Sequence, residues 1–280
     1  MHMRSLFYFL VVMALISCSK DVPEPSPTPE GEVQGDDRFE QMVLIEPTVS
    51  VGCGACPLAH HEVEKLEDSL DYITHISHYL YGPLFHPYSK YLLDKINKTV
   101  YTPLGHVDRM HEDGSVVYYP VDMFEPLAKD AFAASTDVSL KVTAALTSDQ
   151  LQLSLEVESD EVAQHTSLRV TVLLVEREVV GEGTGYDQRN YGHDDPDHPY
   201  YQQGEYIQGF VHTNVIRHVL TSFEGDVIDI TSGKTSWSGT IDLVDLEGNT
   251  AAYNAVAFVS KDGEEVMPII NTSVLQLSSL

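Results

Sequence analysis

Cys53 and Cys56 are the residues of this 280-residue chain whose types and spacing bear most directly on chemistry. They stand two residues apart in "GCGACP", where an apolar run ends and a helical pattern begins. The reactive form of a cysteine is its thiolate, which the positive end of a helix dipole and the free N–H groups there stabilise. The spacing therefore predicts a thiol–disulfide pair, with Cys53 as the exposed attacking sulfur and Cys56 as the resolving one.

A structural staple and half of a metal site are the alternative interpretations of this pair. Closing so short a loop restricts the unfolded chain very little, so a staple is disfavoured. Structural zinc commonly takes four ligands in two separated pairs, and the chain has no second C-x-x-C. We therefore predict no metal. One turn beyond Cys56, His60 and His61 are candidates for tuning the thiol, although two solvated helix histidines are the favoured interpretation. The remote candidates for a further metal ligand are His86, His106 and His111.

Two other residues complete the predicted catalytic set. Glu46 ends the apolar run "QMVLIE" and is a candidate for a buried carboxylate that shuttles the proton of Cys56. Pro103, in "YTPLGHVDR", precedes a predicted hairpin. A cis-proline loop at that point would face the cysteines and hold the backbone with which a substrate peptide pairs.

The elements that must position these residues alternate between strand and helix over 39–135. The patterns predict strands at 41–46 and 72–80, a helix from Cys56 or Pro57, a second helix at 86–97 and a third at 122–135. A hairpin with Asp113-Gly114 as its turn lies between the last two helices. This order, with C-x-x-C between the first strand and helix, predicts a thioredoxin-like α/β domain.

In residues 136–280 the hydrophobic pattern changes from the helical spacing to a two-residue repeat. Apolar and polar residues alternate in segments such as "QLQLSLEVES" and "SLRVTVLLVERE", which is typical of half-buried antiparallel strands. We predict a β-sandwich of seven to nine strands, Ig-like or jelly-roll-like. The whole chain is then an α+β protein of two domains, 39–135 and 136–280, with no helix of useful length after Ser135.

A long segment at 181–204 interrupts the strands, and we call it the 181–204 loop. Oxygen-rich clusters can hold calcium, but the spacing here matches no EF-hand and Pro196 breaks the run, so a solvated acidic loop is favoured. Its tyrosines suit either a contact surface or edge packing. The candidate interaction residues are Tyr191, His193, Asp194, Asp195, Asp197 and His198.

The first residues are typical of an export signal. An apolar stretch at 6–16 is too short to span a bilayer and ends in "LISC", which resembles a bacterial lipobox. Residues 1–17 are therefore a predicted signal peptide and Cys18 a predicted acylated anchor to the membrane. Residues 18–38, rich in proline and acid, are a predicted flexible tether. The net charge of -27, from 43 acidic and 16 basic residues, argues against a nucleic-acid partner.

Four stretches together resemble one family, the twenty-eight-kilodalton outer-membrane protein family of Bacteroidetes. They are "VLIEPTVSVGCGACP", "TPLGHVDR", "YIQGFVHTNVIRHVLTSFEGDVI" and "NAVAFVSKDGEEVMPIINTSVLQL". The resemblance implies a thioredoxin-like domain followed by a β-sandwich. It also implies an outer-membrane lipoprotein on the periplasmic or cell-surface face.

Two functions follow from these observations. One is thiol–disulfide exchange or redox response at the outer membrane, with protein thiols as partners. The other is a non-enzymatic binding or adhesion lipoprotein. In that case the sandwich and the 181–204 loop contact another surface protein, and the C-x-x-C is a structural disulfide. Neither function requires a cofactor beyond the Cys53–Cys56 disulfide.

Overall fold

The computed structural model describes residues 40–96, 101–161, 165, 167–246, 249–263 and 266–279. All of them belong to one structural unit, Arg38–Leu280. The predicted signal peptide at 1–17, the acylated Cys18 and the tether at 18–38 lie outside the described residues, and these remain predictions.

The first half of the described chain alternates strands and helices, as predicted. Its elements are β1 Val43–Val49, α1 Cys56–Ser69, β2 Ile73–His75, β3 His78–Tyr79, α2 Pro87–Ile96, β4 Leu104–Val107, β5 His111–Glu112, β6 Ser115–Val116 and α3 Phe124–Ala133. Proline in the first turn of α1 suits a helix start, because its missing N–H would be unpaired there in any case. The β5–β6 hairpin turns at Asp113-Gly114, both at positive φ (51° and 78°), which confirms the predicted turn.

Strand β1 is the centre of a small sheet. β2 and β3 pair with it in parallel and in the same register, and β4 pairs with it antiparallel. The strand predicted at 72–80 is thus broken into two pieces. The break has a cause in the tertiary structure, because the Ser77 N–H donates to the carbonyl of Asn214, 3.0 Å away, instead of to β1.

The second half of the chain is built of antiparallel strands. They are β7 Val138–Leu146, β8 Gln150–Ser159, β9 Ser167–Val179, β10 Gln188–Arg189, β11 Tyr206–Ile207, β12 His212–Val219, β13 Asp226–Asp229, β14 Lys234–Asp242, β15 Tyr253–Lys261 and β16 Ile269–Gln276. One sheet has the order β12-β9-β15-β16, with β13 also on β9, and another has the order β14-β8-β7. After Ser135 the described residues hold only short 3-10 turns and no α-helix. The mixed, mostly antiparallel architecture confirms the coarse fold class.

The sheet that contains β9 is covered on both faces. On one face, alternate residues of β9, Leu168 to Leu174, pack with β7 and β8 in a large apolar core. On the other face, Leu173 and Val175 pack against Leu44 of β1 and Tyr88 of α2. The prediction of half-buried strands is therefore wrong for β9, since the first half of the chain covers the face expected to be solvated.

Candidate functional site

The C-x-x-C motif lies where β1 ends and α1 begins, as the sequence predicts. Cys53 and Cys56 form a disulfide with their Cα atoms 5.4 Å apart. Cys56 is fully buried, whereas Cys53 is half-buried and packs at the edge of an apolar cluster that contains Tyr79. Cys53 is thus less exposed than predicted, because a distant part of the chain packs on the motif.

The start of α1 leaves its helix dipole uncompensated. Ala55 at the N-cap offers no side-chain hydrogen bond, and the first turn carries no acidic residue. The first N–H groups of a helix lack partners within the helix, so their partial positive charge acts on whatever lies beside them. Here the neighbouring atoms are the sulfurs of the Cys53–Cys56 disulfide, so this charge would stabilise a cysteine thiolate at the start of α1.

Glu46 lies in β1 as part of a buried ion pair. Both of its carboxylate oxygens accept hydrogen bonds from Arg109, from Nε at 2.7 Å and from Nη2 at 2.7 Å, and His78 Nε2 lies 3.1 Å from Oε1. Burial opposes ionisation of Glu46, but the charge of Arg109 and these hydrogen bonds outweigh it and hold its pKa well below the ordinary value. A proton shuttle from Cys56 remains a prediction for Glu46, while its visible contacts are with Arg109 and His78.

Pro103 lies at the same edge of the sheet as the cysteines. The Thr102–Pro103 peptide bond is cis, as predicted. Strand β4 then begins with Leu104 opposite Thr48, just before β1 runs into the C-x-x-C loop. Behind it, Gly105 has no room for a side chain, since a Cβ atom would lie 2.8 Å from both the Glu46 carbonyl oxygen and the Phe124 ring.

The 181–204 loop packs directly on the C-x-x-C motif, which sequence reasoning missed. The Arg189 N–H donates to the Val51 carbonyl and the Tyr191 N–H to the Gly54 carbonyl, each over 2.8 Å. The side-chain amide of the fully buried Gln188 donates to the Cys53 carbonyl over 2.9 Å. The structure therefore brings together the two sites that the sequence predicts separately.

Buried Asn190 organises the inside of this loop. Its amide donates to the carbonyls of Tyr200, at 2.9 Å, and Gly204, at 3.2 Å, and its oxygen accepts the N–H of Gly192 over 2.9 Å. His193 Nδ1 bonds the Asn190 carbonyl over 3.0 Å. An inner polar framework thus fixes a loop that the sequence predicts to be merely solvated.

The six candidate interaction residues have different surroundings. Tyr191 is 64% exposed, with its ring over Gly54 and the Arg189 guanidinium 4.9 Å from its centroid. The His198 ring lies over Gly192. Asp194 is exposed beside His193, and Asp195 accepts the N–H of Asp197 over 3.0 Å. Their role in contacting a partner remains a prediction.

The two histidines of α1, His60 and His61, differ in their burial. The prediction that both are solvated is wrong for His60. His60 is only 2% exposed, and its Nε2 lies 3.1 Å from the hydroxyl oxygen of Tyr79. Burial, with smaller contributions from nearby His212 and His75, lowers the pKa of His60 to about 3. His61 is partly exposed and meets the Tyr200 ring edge-on. Alternation along α1 cannot reveal this difference, because His60 is buried by residues from elsewhere in the chain.

The remote histidines each contact a different part of the chain. Nδ1 of His106 bonds the Val117 carbonyl over 2.9 Å, Nε2 of His111 bonds the Val266 carbonyl over 2.7 Å, and the His86 ring contacts Phe223. Among the described residues, no group of three or more His, Cys, Asp or Glu side chains is arranged to hold a metal ion.

The fold and site define a β-rich α/β protein with a disulfide-bonded C-x-x-C at a strand-to-helix junction. The model of the Omp28 family, described as outer membrane protein Omp28, matches residues 93–277, and the chain belongs to this family. The predicted family and the outer-membrane location are thereby confirmed. The matched range begins in α2, so it does not include the cysteines. No helix in the described part of the chain is long and apolar enough to cross a membrane.

Two solved structures are similar to this chain to different degrees. HBP35 of Porphyromonas gingivalis matches with a TM-score of 0.63 and 17% identity, over 85% of this chain and 76% of that one. A domain of the outer membrane lipoprotein Omp28 from Porphyromonas gingivalis matches with a TM-score of 0.31 and 13% identity, over 50% of this chain and 88% of that one. The first likeness supports the fold alone, and the second is too distant to support an argument. No curated protein matches the chain.

Proposed function

We propose that this protein is a lipid-anchored thiol–disulfide exchange protein of the outer membrane, with protein thiols as its substrates. The observation that supports this most directly is the Cys53–Cys56 disulfide at the start of α1, with one sulfur buried and the other half-buried. Membrane attachment would come from acylated Cys18.

A thioredoxin-like domain at 39–135 is part of this proposal. Its support is a sheet with β2 and β3 parallel to β1 and β4 antiparallel on β1. Helices α1 and α3 contribute to one core and α2 to another, as expected for layers on both faces of a sheet. The antiparallel sheets of 136–280 would form the second domain, a β-sandwich.

The exchange step requires only the chain's cysteines and a substrate dithiol. A substrate thiolate attacks the sulfur of Cys53, the Cys53–Cys56 bond breaks, and Cys56 leaves as a thiolate beside the start of α1. The second substrate thiol then attacks the mixed disulfide and releases Cys53. The substrate ends as a disulfide, and its two electrons and two protons reside on Cys53 and Cys56.

Access to Cys53 limits which substrates can react. The Val51 and Gly54 carbonyls already accept N–H groups of the 181–204 loop, so a substrate strand cannot pair with them. We assign the substrate's approach to the edge beside Pro103. We therefore expect extended or flexible thiol-bearing segments to react faster than thiols in folded surfaces.

A trapping experiment tests the proposed function. Cys56→Ser should retain a single-cysteine peptide that is supplied as its disulfide-linked dimer. The Cys53 thiolate attacks the peptide disulfide, that bond breaks and one peptide leaves as a thiol, while the other stays on Cys53 because the Cys56 thiol that would release it is gone. Cys53→Ser is the matched control and should trap little, since Cys56 is fully buried. Mass spectrometry of the non-reduced adducts gives the readout. A wild-type disulfide that resists excess peptide dithiol, with no adduct on Cys56→Ser, would refute the proposal.

A second function is favoured by the packing of the 181–204 loop. The side-chain nitrogen of Gln188 lies 3.3, 3.2 and 2.9 Å from the carbonyl oxygens of Ser50, Val51 and Cys53. In this function the disulfide fixes the backbone that holds the loop and presents Tyr191. A binding lipoprotein of this kind would retain its partner after Tyr191→Phe and lose it after Tyr191→Ser. Both variants keep the cysteines, so unchanged thiol exchange alongside lost cell-surface binding would separate the two functions.

A further inference from the structure

His60 has a buried ring nitrogen without a partner. It lies in α1 one turn beyond Cys56, and among the described residues its Nδ1 makes no hydrogen bond. Unpaired buried polar atoms are rare in native proteins and demand an explanation. The explanation here follows from a chain of three side chains, His60, Tyr79 and His212.

A peptide carbonyl fixes the hydrogens along this chain. The Tyr186 carbonyl can only accept, so the Nε2 of His212, 2.8 Å away, carries a hydrogen. Burial lowers the pKa of His212, so the ring is neutral and its Nδ1 accepts the Tyr79 hydroxyl over 2.8 Å. The Tyr79 oxygen then accepts the Nε2–H of His60 over 3.1 Å. Neutral His60 is left with a bare lone pair on Nδ1.

Helix geometry places His60 on the same face of α1 as Cys56. Side chains in a helix lean towards its N-terminus, and residues four apart lie on the same face with Cβ atoms about 5–6 Å apart. Cys56 is fully buried in the apolar cluster that also contains Tyr79. In the disulfide Cys56 has no hydrogen to donate, but after reduction it carries an S–H inside this apolar cluster.

We propose that His60 is a positioning residue for Cys56, whose Nδ1 accepts a hydrogen bond from the Cys56 thiol once the disulfide is reduced. This bond favours the reduced pair, since the oxidised pair leaves Nδ1 unsatisfied. The inference rests on the proposed function. A dithiol reductant supplies two electrons and two hydrogens, the Cys53–Cys56 bond breaks, and the reductant becomes a disulfide. His60 itself neither gains nor loses a proton.

The reduction potential tests this inference in dithiothreitol redox buffers. His60→Phe keeps an aromatic ring and removes Nδ1. It also removes the Nε2–H that donates to Tyr79, but that hydrogen bond is lost in both redox states and so does not change the reduction potential. One net hydrogen bond corresponds to an equilibrium constant for reduction that is about fivefold smaller in the variant, or a potential about 20 mV more negative. His61→Phe, one residue along, is the control and should match the wild type. Equal potentials for wild type and His60→Phe would overturn the inference.

A measurement on the wild type protects the test against a misfolded variant. In ¹⁵N spectra of the histidine rings, His60 should carry its hydrogen on Nε2 in both redox states, and its Nδ1 resonance should shift on reduction. A hydrogen on Nδ1, or an unshifted Nδ1, contradicts the inference. A disulfide that exchanges with dithiothreitol but never with protein thiols refutes only the proposed function. One that exchanges with neither refutes both.

Discussion

Replacing Glu46 by Gln should destabilise the protein strongly, because it leaves the charge of Arg109 buried without its counter-ion. Glu46 is fully buried, and Arg109 binds it through two hydrogen bonds of 2.7 Å. Removing one partner of a buried ion pair typically costs about 3–5 kcal/mol, far more than the net value of an intact pair. For a unit of this size, that loss corresponds to a melting temperature lower by roughly 6–20 °C.

Thermal and urea unfolding, followed by circular dichroism, measure the effect. Glu125→Gln is the matched control, since the Glu125–Lys129 pair has a similar separation of 2.6 Å but both side chains are about half exposed. Solvent screens such a pair, so its loss should leave stability nearly unchanged. The double variant with Glu46→Gln and Arg109→Met should recover part of the loss, because no unpaired charge remains.

The same variant separates an anchoring role of Glu46 from proton transfer. If Glu46 only fixes Arg109, the fraction of Glu46→Gln that remains folded should reduce and reoxidise its disulfide at the wild-type rate. If Glu46 carries the Cys56 proton, exchange should slow in the folded protein. A Glu46→Gln variant as stable as Glu125→Gln would refute the reasoning from the buried pair altogether.

Three further outcomes are expected. Gly105→Ala should lower the free energy of unfolding in urea by about 1–3 kcal/mol, because its Cβ would meet the Glu46 carbonyl and the Phe124 ring at 2.8 Å. Wild-type stability in this variant would show that β4 can shift freely. The free energy of unfolding should fall as pH drops from about 6.5 towards 3, since His60 has a lowered folded pKa and protonates first in the unfolded chain. His60→Phe should flatten that fall by up to about 1.4 kcal/mol per pH unit, and an unchanged slope would contradict burial of neutral His60. Tyr191→Ser should speed alkylation of Cys53 after reduction, because the exposed Tyr191 ring lies over Gly54, and the free energy of unfolding should change by less than about 0.5 kcal/mol. Equal alkylation rates in the variant and the wild type would show that the ring does not shield the motif.

The sequence by itself determined the features that depend on neighbouring residues. The apolar run of β1, the proline at the start of α1 and the Asp113-Gly114 turn are local preferences of the backbone, and each predicts its element without reference to the rest of the chain. The C-x-x-C at the junction follows from the same local pattern. The cis peptide bond at Thr102–Pro103 is a prediction of a different kind, because it follows from the thioredoxin-like order of elements and not from the neighbouring residues alone.

The tertiary structure alone decided which polar residues meet. Gln188 reaches the Cys53 carbonyl across 135 positions of sequence, and His212 reaches Tyr79 across 133. Hydrophobic periodicity reports which face of one element is buried, but not which distant element covers it. For that reason the sequence pattern predicts a solvated His60 and a β9 that is buried on only one face, whereas the fold buries both. A buried polar side chain must find a partner, and only the folded chain supplies its identity.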